Sequence, residues 1–218
     1  MVVSQETRPG PGAADEPPAF VAAVATMRAA RLRPEIHCEE MPAPQRIAPF
    51  AAALSADVTV DGEEIGTGRI ILLHDPQGND AWDGEFRCVA YARAEIDVEL
   101  ITDPMLAAVG WTWLTDALDA HGAAYHMASG TVTRVATESF GGMAEESAAA
   151  QLELRASWTP TLPTLSAAGP LQVVGGDLDV APHVEAWGEL LCTAVGLPPV
   201  PDGVAVIPSR RGQRGSGA

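Results

Sequence analysis

The sequence predicts an α+β domain: a two-layer sandwich with one mainly antiparallel sheet, helices on one face and the order αβββαββα, with room for extra short strands. Three observations predict it. Phe86, Cys88, Ala90, Ala92, Ala94 and Ile96 alternate with Arg87, Val89, Tyr91, Arg93 and Glu95, the two-residue period of a strand. Asp61-Gly62, between two such stretches, marks a tight hairpin and hence antiparallel pairing. Segments with helical spacing punctuate the strands as helix, meander, helix, hairpin, helix.

Each element follows from its residues. Residues 1–16 are rich in Pro, Gly and small polar side chains and are expected to be a disordered lead-in to a single domain over 17–208. Phe20, Val24, Met27 and Arg31, with Val21 and Ala25 beside them, make a first amphipathic helix that Pro34 stops. EIHCEE reads as a short strand, and the proline-rich MPAPQRIAPF as an extended connection. ALSADVTV turns its Leu54, Ala56, Val58 and Val60 to one face, and GTGRIILLHD returns beside it. The loop DPQGNDAWDG leads to the strand of Phe86 to Ile96. The small residues on that strand's inner face call for a helix backbone close above it, and the helix that follows is the expected occupant.

That helix has Asp103 as its cap, Pro104 in its first turn and His121-Gly122 as its stop, with a buried stripe of Leu106, Val109, Trp113, Leu114 and Ala117. TVTRVATESF and AAAQLELRASW form a hairpin in which Arg134 and Glu138 would face Arg155 and Glu153. Residues 160–180 are expected to be a long surface loop. PHVEAWGELLCTAV is the last helix, with Val184, Trp187, Leu191, Ala194 and Val195 on one face; GVAVIP is a candidate edge strand, and residues 209–218 a disordered basic tail.

Composition narrows the partners. The chain has no lysine, and its 13 arginines face 29 carboxylates for a net charge of -16. A body this acidic repels phosphate backbones and anionic lipid, so neither nucleic acid nor membrane is expected as a partner. Cys38, Cys88 and Cys192 are odd in number and far apart, so no disulfide framework or zinc knuckle is indicated. With no signal-like or membrane-spanning stretch, the expected location is the cytoplasm.

Several strings resemble an actinobacterial family of uncharacterised proteins, domain of unknown function three thousand. They are RPEIHCEEMPAPQRIAPFAAALSADV, GTGRIILLHDPQGNDAWDGEFRCVAYARAEID, DPMLAAVGWTWLTDALDAHGAAYH with TVTR after it, and ASWTP with EAWGELLCTAVGLPP, together most of residues 33–199. The resemblance implies no catalytic residue, cofactor or partner. In architecture alone, the element order also resembles type III secretion chaperones.

The residues offer few catalytic combinations. His37-Cys38-Glu39-Glu40 clusters metal-ligand types, but adjacent strand residues point to opposite faces, so no metal is expected. There is no nucleophile elbow, and neither GTGRII nor VVGGDL is a phosphate loop. No cofactor is expected. The leading expectation is a non-enzymatic protein-binding or adaptor module, for a protein partner or self-association. Its binding residues would be Trp82 in the preceding loop with Arg87, Tyr91 and Arg93 on the outer sheet face, completed by Val89 and by Ile71 or Leu72. That face is left free unless the proline-rich connection or the 160–180 loop covers it. Trp111 joins them because it and Trp113 point about 200° apart on one helix, so only one can lie deep in a core stripe. The alternative is a small-molecule-binding protein or enzyme with a pocket at His74, Asp75, Arg93 and Glu95. That alternative requires the four side chains to converge.

Overall fold

A computed structural model of the chain describes residues 16–44, 46–145, 148–162 and 177–199. The lead-in, most of the 160–180 segment, GVAVIP and the basic tail lie outside the described residues. Three helices, α1 (Pro18–Ala29), α2 (Leu106–Ala120) and α3 (Ala181–Ala194), accompany six strands: β1 (Ile36–Met41), β2 (Phe50–Val60), β3 (Glu63–Asn79), β4 (Gly84–Ile96), β5 (Tyr125–Thr137) and β6 (Ala149–Pro160). The strands form one antiparallel sheet in the order β1-β2-β3-β4-β6-β5. The fold is α+β as expected, and EIHCEE supplies β1, the fourth strand of the meander.

Local chemistry sets the boundaries. Asp61 (φ 53°) and Gly62 (φ 91°) both take the left-handed backbone that a two-residue hairpin of matching twist requires. Gly122 (φ 65°) ends α2 and Gly196 (φ 80°) ends α3 in the same conformation. Asp103 does not sit at the N-cap of α2. Its carboxylate accepts the Met105 amide at 2.8 Å, closing a turn one step earlier, and the helix begins at Leu106. The expected loop DPQGNDAWDG is largely extended: β3 continues to Asn79, and the turn is confined to residues 80–83.

The inner face of the sheet and the helices enclose the core, with Trp158, Trp187, Leu72, Leu114 and Leu118 fully buried. The helix over the small residues of β3 and β4 is α3 rather than α2. A methyl group on Gly68 would meet Leu191 of α3 at 2.8 Å, and the Trp187 indole donates to the Tyr91 carbonyl at 3.1 Å. Burial therefore runs almost around α3, which packs on β3 and β4 and contacts both α1 and α2. Helix α2 instead lies over β5, where Trp111 rests on Gly130 and Gly110 faces Val132 and Leu152. Its buried stripe is accordingly Leu106, Gly110, Leu114, Ala117 and Leu118, while Val109 is exposed and Trp113 half-buried.

Candidate functional site

The sheet's outer face is set by register. Tyr91 on β4 stands directly opposite Arg69 on β3 and Arg155 on β6. Both guanidinium groups lie over the Tyr91 ring, at 5.5 Å for Arg69 and 5.4 Å for Arg155, within the range of a cation–π contact. Ile71 and Val89 pair beside them. Together these five side chains line an open depression of about 320 Å³.

Charge is unevenly distributed on this acidic protein. Four of the nine described arginines, Arg69, Arg87, Arg93 and Arg155, project from three neighbouring strands of one face. Arg155 contacts Glu153 at 3.0 Å, and among the described residues Arg69 has no ion-pair partner. Burial, reinforced by Glu153, pushes the Tyr91 hydroxyl above its usual range, so the phenol stays neutral. The result is a neutral aromatic surface held between two solvent-exposed cations. Such a pair suits a carboxylate-bearing segment, because stacking fixes the plane of each guanidinium fork.

Arg87 is on the same face but does another job. It is buried at 7% exposure and donates to Thr159 Oγ1 at 3.0 Å, Ser157 Oγ at 2.8 Å and the Ser157 carbonyl at 3.3 Å. Thr159 in turn donates to the carbonyl of Trp82. This chain closes the end of the face by tying the β3–β4 turn to β6. Burial lowers the Arg87 pKa, and neutral oxygens rather than a carboxylate balance its charge. Leu73, opposite Arg87 on β3, is also buried.

The remaining expected site residues are dispersed. Trp82 lies half-buried in the turn before Gly84, and Gly84 is about 23 Å along β4 from Tyr91. Arg93 adjoins Tyr91 on the outer face, opposite Thr67 and Glu153. Trp111 packs against Gly130 on the helix side, across the sheet from Tyr91. Leu72 is in the core, so Ile71 is the one of the two that completes the outer patch.

His74, Asp75, Arg93 and Glu95 do not converge. His74 faces inward, stacked on Phe86 at 4.2 Å and on Phe20 at 5.8 Å, and burial lowers its pKa. Arg93 is on the opposite face, seven residues further along the ladder, or about 23 Å. In the His37-Cys38-Glu39-Glu40 string, His37 and Glu39 contact each other at 2.9 Å on one face while Cys38 and Glu40 belong to the other parity. Arg134 also departs from expectation. It registers with Leu152, not with Glu153 or Arg155, and donates to the Ile101 and Asp103 carbonyls at 3.3 and 2.8 Å. Arg69 and Arg155 were absent from the expected binding set although they flank Tyr91; the signal is the alternation of GTGRIILL and LELRAS, read with the correct register.

Fold and surface together define an α+β domain whose arginine-rich sheet face carries no helix among the described residues. The chain belongs to the family described as Protein of unknown function (DUF3000), whose profile matches residues 16–205. No curated protein and no solved structure matches it. Among the described residues no helix is long and apolar enough to cross a membrane.

Proposed function

We propose that the protein is a non-enzymatic binding module whose outer sheet face holds an extended, carboxylate-bearing segment of a partner protein. The observation that carries this reading is the Tyr91 ring held between Arg69 and Arg155 beside Ile71 and Val89. A half-buried aromatic flanked by two exposed arginines has the side-chain chemistry that dominates protein interfaces, and a local cluster of cations on a chain of net charge -16 selects acidic over basic partners. The face lies clear of α1, α2 and α3, all of which pack on the other side. The proposal places the protein in the cytoplasm, in keeping with three free cysteines, two of them buried.

The test is affinity capture from the native cell with the intact chain and two face variants, Tyr91→Ser and Arg155→Glu, followed by mass spectrometry. The expected result is a partner retained by the parent and lost by both variants at unchanged melting temperature. Identical capture by parent and variants overturns the reading.

A further inference from the structure

One carboxylate stands inside the arginine cluster of the outer face. Glu153 is two residues before Arg155 on β6, so both project from the same side of the sheet. The Arg155 guanidinium donates to Glu153 Oε2 at 3.0 Å. Across the β4–β6 pair Glu153 stands directly opposite Arg93, the position from which opposite charges on a sheet surface attract each other. Its charge is also, after burial, the strongest influence raising the Tyr91 hydroxyl. One side chain thus bears on Arg93, Tyr91 and Arg155 together.

Arg69 lies outside this reach. It projects from β3, two strand spacings or about 10 Å from β6, and among the described residues it has no ion-pair partner. The Glu153 side chain keeps 22% of its surface exposed and that of Arg155 keeps 66%. The carboxylate is therefore tucked against the face while the guanidinium it holds is presented to solvent. An anion arriving at Arg155 meets Glu153 already there; one arriving at Arg69 does not.

Resting on the reading of this face as a site for an acidic segment, we propose that Glu153 is an internal competitor for the partner's carboxylate. It partly neutralises Arg155 and Arg93, leaves Arg69 as the open cation beside Tyr91, and holds down the affinity of the whole face. The partner's carboxylate enters from the β3 side, at Arg69, with its neighbouring apolar residue on Ile71 and Val89. An exposed ion pair adds little to folding, because both groups are well solvated without it. The effect of Glu153 falls on the incoming anion instead. If Glu153 served only to hold Arg155 in place, its loss would weaken binding, the opposite sign.

The experiment is fluorescence anisotropy of a labelled peptide, in which threonines separate alternating glutamates and leucines, titrated with the full chain and its variants at several salt concentrations. Glu153→Gln is expected to tighten binding by about fivefold at low salt, the upper range for an exposed pair, with the gain shrinking as salt is added. Glu95→Gln removes an equal charge four residues along β4 from Tyr91, about 13 Å, and should leave binding unchanged. Arg69→Gln should weaken binding more than Arg155→Gln, which tests the same assignment even where Glu153→Gln folds poorly. Binding lost in Tyr91→Ser but no tighter in Glu153→Gln, an equal gain in Glu95→Gln, or the reverse order of the two arginine variants overturns the competitor and spares the face. Binding that survives Tyr91→Ser, or no binding by any form, overturns the face and the competitor with it.

Discussion

Acid sensitivity of the core is the sharpest quantitative consequence of this packing. His183 on α3 is buried at 1% exposure, and its Nδ1 accepts the Trp158 indole N–H at 3.1 Å. Burial lowers its pKa from 6.5 to about 4, against a smaller opposing pull from Asp179. A proton on Nδ1 would also set two donors face to face. The unfolded chain therefore binds a proton at higher pH than the folded one, and stability contributed by neutral His183 is present above about 6.5 and lost as pH falls toward 4. Between pH 7 and 5 those two pKa values give a loss of about 2 kcal/mol. His183→Asn keeps an acceptor near the Nδ1 position and cannot titrate. Urea unfolding of parent and variant at several pH values isolates the effect, since contributions from His74 and the carboxylates are common to both. The parent should lose about 2 kcal/mol relative to the variant over that interval. A stability difference independent of pH would refute the assignment of a neutral, buried His183.

The other outcomes are simpler to read. Gly130→Ala places a methyl against the Arg155 carbonyl, Trp111 at 2.7 Å and the Ala156 Cα at 3.0 Å; with backbone on one side, thermal unfolding should show a loss of about 3 kcal/mol. Arg87→Met removes the donors to Thr159 and Ser157 and should cost about 2 kcal/mol in urea unfolding without altering partner capture, because Arg87 is buried beneath the face. Tyr91→Ser should do the reverse, abolishing capture with melting temperature preserved. Cys88 and Cys192 thiols are pushed up to about 12 by burial, so native protein at pH 8 should react with a thiol reagent at Cys38 alone, slowly because burial raises that thiol too, and at all three cysteines once unfolded.

Periodicity made the strands of this chain legible. The alternation from Phe86 to Ile96 separated inner from outer residues correctly, and Asp61-Gly62 fixed the first hairpin, because both signals are local backbone geometry. Helix faces were less secure. Alanine-rich helices leave several faces nearly equal in hydrophobicity, so the expected stripe of α2 differs from the observed one in two places: Val109 stands for Gly110, a residue buried for its lack of a side chain, and half-buried Trp113 for fully buried Leu118.

The sequence by itself determined the layer architecture, the antiparallel meander, the glycine stops of α2 and α3 and the family, all of which follow from local chemistry or long matching strings; α1 ends at Ala29, short of the Pro34 stop expected for it. Only the tertiary structure decided that α3, whose Trp187 is 96 residues from Tyr91 in the chain, covers β4 in place of α2. It also brought Arg69 and Arg155 to either side of Tyr91 and took Arg87 from an open face into a hydrogen-bonded cover. These outcomes depend on register and on which element packs on a given surface. Residues far apart in sequence settle both, through burial and pairing that no local window contains.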